Sequence, residues 1–517
     1  MTAATAGVAP ARRVPLAAPA RLLRLELRRN PMLWMLPLLV ALFWLGVYRP
    51  SMANPPFWNE RATALQHAVL FLGPLLAGAT AWVGSRDGRR GLTDLVGVTA
   101  VPRWTGQLTT WAATTCWAEA VYLGGVAIVY GVTAEQARWG GPLWWPAAVG
   151  AAGLATSCAL GFAAGALLPG RFTAALAAVV VFLALGAGAF ALQANDVYAQ
   201  IWPLNVQGPL PPDSYGIFYP YLPDLAIAQL IFLAGLAVAA LGAFGLPAAA
   251  GGRWLRGAAA TLTAAGLVAA GTAVGLAGTA RLEAHGIVIP ALHDAASDRP
   301  VSYTPVCSHS AVPVCVHPAY RPFLSAVTAA LGPVLDQLAG LPGAPVRITQ
   351  VAVTSVQQES SNGVQLGGEV IGGSPPVLKL PLAGLSLPGE GSVIIAQFIS
   401  QLQSRDVMAI LSAVIGGGPG SQGVPTGPAR VGGQGGPRGP ASVPVPLPPG
   451  AAAQLATETA LAELAGVPSG NGLPTLSGPS LAAARRFADL PAAARHAWLV
   501  SHLAALRAGR VTPSEIP

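Results

Sequence analysis

SRDGRRGLTDLVGVTAVPRWTGQLTTW, Ser85–Trp111, is a short, arginine-rich, half-apolar segment caught between two long apolar runs. One run ends at Val83-Gly84, and the next climbs from Leu108 to Tyr130. Read as a helix over Gly88–Thr99, it puts Leu92, Leu95, Val96 and Thr99 on one face at i, i+3, i+4 and i+7. Arg89, Arg90, Thr93 and Asp94 fall mostly elsewhere, and Pro102 limits any continuation. A helix with arginines at its start and one apolar stripe suits a membrane surface or a groove on a partner. The spacing equally fits a solvated loop that joins two membrane spans.

The rest of the chain says that the flanking runs are spans. Of 517 residues, 53% are hydrophobic and only 10% charged, with a mean hydropathy of +0.54. About a quarter of a soluble domain is charged, so much of this chain must face lipid. Seven stretches come near the roughly 20 residues that cross a bilayer: Met32–Tyr48, Leu65–Gly84, Leu108–Tyr130, Trp144–Leu168, Ala174–Leu192, Leu225–Leu246 and Ala258–Ala277. Pro37 and Pro74 lie inside spans, which neighbouring helices make tolerable. The seventh is rich in Gly, Ala and Thr and is expected to pack closely. No cleavable signal peptide is evident, because the apolar stretch starts late and no small-x-small site follows it closely.

Net charge is +8, and Lys379 is the only lysine. With the N-terminus in the cytoplasm, the inner flanks hold Arg12, Arg13, Arg21, Arg24, Arg28, Arg29, Arg86, Arg89, Arg90, Arg103, Arg171, Arg253 and Arg256. The outer loops then hold Arg49, Arg61 and Arg138. This positive-inside asymmetry explains the basic balance better than nucleic-acid binding does. An odd number of spans sends everything beyond Ala280 outside the cytoplasm.

Cysteine placement fits that topology. Cys116 and Cys158 fall within spans, where a thiol serves as a small apolar filler. Cys307 and Cys315, in VCSHSAVPVCVHP, lie on the oxidising side, where a disulfide is the natural reading. A metal site from Cys307, His309, Cys315 and His317 is an alternative, although its spacing departs from the common zinc patterns. An unpaired loop is a third.

Beyond this loop the texture changes. Tyr320–Leu341 has helical periodicity through Phe323, Val327, Leu331, Val334, Leu335 and Leu338. Arg347–Gln358 alternates like a strand, Gly363–Ile371 and Pro376–Pro381 suggest two more, and Ser392–Ile415 is helical again. Residues 416–450 are crowded with Gly and Pro and read as a linker. Two helical segments, Ala451–Ala465 and Leu481–Arg507, close the chain. The expected architecture is a mainly α-helical polytopic membrane protein with a small α/β extracytoplasmic C-terminal domain. Its divisions are a tail and basic interfacial helix (1–31), a membrane domain (32–277), an α/β region (278–415), a linker (416–450) and a helical region (451–517).

Catalytic motifs are missing. No His-Glu-x-x-His sequence supplies zinc ligands and a base, and no Gly-x-Ser-x-Gly elbow supplies a nucleophile. His496 and His502 are not on one side of adjacent turns. Lys379 has no glycine loop around it, so the chain lacks a P-loop and any ATP-driven role borrows its motor from another polypeptide. No cofactor or metal is expected. Glu119 alone lies well inside a span; it is an ion-path candidate or, as the blander reading, a carboxyl at the interface or satisfied by Thr114 or Thr115.

The Arg-Asp-Gly-Arg-Arg turn, then Gly-Leu-Thr-Asp-Leu, Thr99 and Pro102-Arg103, resembles the permease subunits of type-two ABC exporters of the actinobacterial type. RLLRLELRRNPMLWMLPLL (Arg21–Leu39) is similar to that family's entry segment, a basic helix ahead of the first span. The resemblance covers roughly the first half of the chain. It implies that the segment after the second span is a coupling helix docking on a separate ATPase, through Arg89, Arg90, Leu92, Leu95 and Val96. It also implies a homo- or heterodimer of permease subunits in a bilayer, working as an exporter, and the scarcity of charge within the spans suits an apolar or amphipathic cargo. The chain's ending, Phe487 to Gly509, loosely resembles the tail of peptidase-like outer domains. The rival reading is therefore a polytopic anchor whose outer domain is a non-catalytic or peptidase-like binding module.

Overall fold

The computed structural model describes residues 17–53, 56–91, 102–191, 201–205, 216–248, 253–283, 286–351, 369–371, 377–381, most of 407–416, 447–467, 476 and 478–517. Among them, six helices are long and apolar enough to cross a membrane, making this a multi-pass membrane protein by length and composition.

Helix α1 (Ala17–Arg29) is the basic amphipathic segment, ending in Arg28 and Arg29. The first span starts with α2 (Met32–Phe43), passes through a π-helical turn, Trp44–Tyr48, and ends in α3 (Arg49–Ala53). It is followed by α4 (Trp58–Gly84), the one-turn α5 (Arg86–Arg89), α6 (Arg103–Gln136) and α7 (Trp144–Leu167). Helix α8 (Thr173–Ala191) is a shorter apolar element; α9 (Asp224–Ala248) and α10 (Arg253–Ala277) complete the bundle. Several helices outrun the expected spans: α4 begins before Leu65 and α6 extends to Gln136. Polar residues occupy these added turns and sit where the helix meets loops rather than lipid.

Small residues let the bundle close. Helices α4 and α7 pack along their length, as do α9 and α10, while α7 contacts α9 and α4 contacts α8. A methyl group on Gly161 or Gly165 would overlap the backbone of Ala77 or Ala81 across the α4–α7 seam. Gly235, Gly242 and Gly266 serve α9 against α10 in the same way. Such close approach supplies dispersion contacts where no hydrophobic drive separates helix from lipid.

Connecting segments sort to two ends of the bundle. Gly88 approaches Pro169 at one end, and Trp104 packs there with Phe244 and Leu255. Phe57, Ile217 and Phe218 lie at the other end, in one apolar core with the region beyond α10.

That region begins with the hairpin β1 (Arg281–Glu283) and β2 (Gly286–Val288). A five-stranded sheet follows, in the order β3 (Val306–Cys307), β4 (Val314–Val316), β5 (Arg347–Val351), β7 (Val377–Pro381), β6 (Glu369–Ile371). The β4–β5 and β5–β7 pairs are parallel and the outer pairs antiparallel. Parallel β4 and β5 need a crossover, and α11 (Leu324–Leu338) provides it. The helical period is seated as expected, with Val327, Leu331, Val334, Leu335 and Leu338 buried, although Phe323 belongs to a preceding 3-10 turn, Pro318–Phe323. Helix α12 (Pro449–Leu464) joins this core. The expected closing helix, Leu481–Arg507, is instead two helices, α13 (Gly478–Asp489) and α14 (Ala492–Arg507). Pro491 separates them, since a proline bars helix at the residue before it and donates no backbone hydrogen bond. Residues 417–446 of the linker assigned to 416–450, and most of Ser392–Ile415, lie outside the described residues, and the linker's last two residues, Pro449 and Gly450, begin α12.

Candidate functional site at the basic end of the bundle

The site grows from a corner between α1 and α2. Asn30 is 1% exposed; its Oδ1 accepts from Met32 N at 2.9 Å, and its Nδ2 donates to Thr114 Oγ1 of α6 at 2.9 Å. Asn30 thus satisfies an orphan donor at the start of the first span and ties it to the third. Trp117 Nε1 donates to Leu27 O at 3.0 Å, which holds α1 along the same face of α6. Sequence reasoning passed over Asn30, although Asn-Pro after a basic helix is a turn signal.

From α1 the contact reaches the segment after the second span. Arg86 lies 3.8 Å from Glu26 and 3.5 Å from Asp87, so α5 and α1 share an ion-pair cluster at one end of the bundle. These groups are part-exposed, where such pairs position more than they stabilise. Arg89 turns back on α4: its Nη2 donates to Trp82 O at 2.9 Å and its guanidinium stands 3.4 Å from the Trp82 ring centroid. Arg90 is exposed.

Of the helix expected over Gly88–Thr99, only Gly88–Gly91 are described, and these do not continue as one helix. The helical turn spans Arg86–Arg89, and Gly91 adopts φ 65°, the left-handed conformation that ends a helix. Arg89 is a cap on the preceding span rather than a free rim residue. Leu92, Leu95 and Val96 lie outside the described residues.

Deeper in α6, Glu119 Oε1 is buried without a hydrogen-bond partner among the described residues. Thr114 donates instead to Thr110 O at 2.8 Å, so it does not satisfy the carboxyl as the bland reading expects. Cys158 is fully buried, whereas Cys116 lies on the exposed face of α6 and does not fill the interior. Arg61, expected in an outer loop, is 1% exposed inside α4; its guanidinium donates to Ser51 O and to Gln136 Oε1, the latter at 3.4 Å.

The chain matches no family model, no curated protein and no solved structure.

At the opposite end, polar clasps join bundle and C-terminal region. His293 bridges Asp224 Oδ2, at 3.1 Å from Nδ1, and Asp298 Oδ1, at 2.9 Å from Nε2. Burial alone would pull the imidazole down, but the two carboxylates together raise its pKa. His317 is fully buried among Trp139, Phe218 and Tyr303, with ring centroids 4.7, 5.2 and 4.2 Å away. Its Nδ1 accepts from Ala319 N at 3.1 Å, and burial lowers its pKa to about 4. His317 is packed among aromatic rings, and its Nε2 is buried with no hydrogen-bond partner among the described residues. Cys307 and Cys315 face one another across β3 and β4 and are joined by a disulfide. No group of three or more metal-capable side chains occurs among the described residues.

Proposed function

We propose that this protein is the transmembrane permease subunit of an ATP-driven export system, coupled to a separate ATPase through the segment that follows its second span. The observation that carries the reading is the assembly at the basic end: Trp117 and Asn30 hold α6 against α1 and the start of α2, and the Arg86–Glu26 pair joins α5 to α1. A segment tied to α1 through Arg86 and to α4 through Arg89 transmits force into the bundle, whereas a loose linker would not. Arg90, exposed and two positions ahead of Leu92 in the chain, supplies charge for such a contact. In this reading the basic end faces the cytoplasm, and the region beyond Ala280 is an extracytoplasmic α/β domain. Two permease subunits, alike or different, bracket the path of an apolar or amphipathic cargo.

The alternative, a polytopic anchor bearing an outer binding module, has its own support in the shared apolar core between Phe57, Phe218 and the C-terminal region. An anchor, however, has no use for a clamped assembly at the opposite end. Copurification from native membranes separates the two: the permease brings down a P-loop ATPase and the anchor does not.

A further inference from the structure

A groove on the flank of the bundle lies between the first span and α6. Val40, Phe43, Trp44 and Tyr48 form one wall, and Ala120, Val121, Gly124, Gly125 and Ile128 the other, around a cavity of about 280 Å³. It is open to the surroundings, because Val40, Trp44 and Ile128 are each more than half exposed. Two features of the sequence create it. The π-helical turn at Trp44–Tyr48 widens the first span locally, a distortion frequent at functional sites. The pair Gly124-Gly125 removes side-chain bulk from the facing helix. Phe43 fills the space over Gly125 and forms the floor, while no atom lies within 4 Å of where a Gly124 side chain would begin.

We propose that this groove binds the acyl chain of an acidic phospholipid, with its phosphate at the Tyr48–Arg49 end. The wall side chains are hydrocarbon except for the Tyr48 hydroxyl and the Trp44 indole N–H, and a recess on the lipid-facing flank of a membrane helix meets hydrocarbon, not water. Val40 to Tyr48 covers about 12 Å along the helix, so the groove runs parallel to a bilayer acyl chain instead of enclosing a compact ligand. Trp44 stacks on Tyr48 at 4.3 Å, a rigid aromatic pair at the end where the span reaches the surface. Exposed Arg49 comes next in the chain and matches an anionic headgroup. This site is independent of the export reading: a permease and an anchor could each hold such a lipid.

The test is photo-crosslinking of the full chain in vesicles of phosphatidylcholine and phosphatidylglycerol, with a diazirine on the phosphatidylglycerol acyl chain. Mass spectrometry should find crosslinks on residues 40–48 and 120–128 several-fold above those on Val179–Leu183, an equally lipid-facing stretch of α8. Gly124→Phe, which fills the open recess, should reduce the groove crosslinks to the α8 level. Ala120→Leu, at an exposed position, should reduce them partially. Arg49→Gln should remove the preference for phosphatidylglycerol over a phosphatidylcholine probe while leaving acyl contact. Crosslinks in the unaltered protein no denser than on α8 overturn the site without any variant. Groove crosslinks indifferent to both filling variants also overturn it. Loss of a dimer in Gly124→Phe with crosslinks unchanged makes the groove an interface between copies and likewise overturns it.

Discussion

Asn30 shows how much one polar side chain can fix in a membrane protein. It caps the first span and reaches Thr114, both inside a buried corner. Asn30→Ala should cost about 1–3 kcal/mol through two lost hydrogen bonds, leaving Met32 N–H without its acceptor and Thr114 Oγ1 without its donor. A lowered midpoint in detergent thermal unfolding, with insertion retained, is the expected outcome. Glu458 makes a different prediction. It is 6% exposed in α12, accepts from Ser412 Oγ at 3.1 Å, and burial raises its pKa to about 7. A folded pKa above the unfolded one gives stability that is complete below about 4.5 and fades as pH rises through about 7, worth at most roughly 3 kcal/mol. Hydrogen-exchange protection in 449–464, corrected for base-catalysed intrinsic exchange, should therefore fall between about pH 4.5 and about pH 7, and Glu458→Gln should flatten that dependence. Neither residue was legible beforehand. Asn30 and Glu458 depend on partners 84 and 46 positions away, and hydrophobic periodicity carries no information about such pairings.

Elements were more legible than residues, for a physical reason. Lipid-crossing helices and α11 announce themselves by length and period, because burying their apolar faces is what holds them in place. The ends of those helices were not legible. Arg61 belongs to α4, Arg89 folds onto Trp82, and Pro491 divides the last helix pair, each decided by local hydrogen bonding. The β3–β4 hairpin is the element whose covalent chemistry can be tested. Alkylation of the native protein should leave Cys307 and Cys315 unlabelled until reductant is added. Replacing both by serine should cost about 2–4 kcal/mol in the C-terminal region. Free labelling of both thiols before reduction contradicts the pairing.

At the scale of the whole molecule, the bundle has two chemically different ends. One gathers α1, α5 and the arginines; the other shares its apolar core with everything beyond α10. Reporter fusions after Arg103 should read cytoplasm, and fusions after Ala280 should read outside. A cytoplasmic signal at Asp298 would invert the second half of that topology and leave Cys307 and Cys315 in a reducing compartment. Arginine asymmetry is what this expected layout rests on, since insertion itself responds to those charges. The shared core was not readable, because Phe57 and Phe218 become neighbours of Tyr320 only through the fold.

Coupling to an ATPase is the claim on which the function rests, and copurification measures it most directly. The unaltered protein, solubilised from native membranes, should bring down a P-loop ATPase. Leu92→Ala with Leu95→Ala removes two apolar contacts of about 1.5–3 kcal/mol each, so docking should weaken by about a hundredfold or more. That variant should still insert, lose its ATPase on purification and lose transport-linked ATP hydrolysis. A variant that inserts, retains the ATPase and turns over ATP undiminished contradicts the coupling role of this segment, and an unaltered protein that brings down no ATPase contradicts the permease itself.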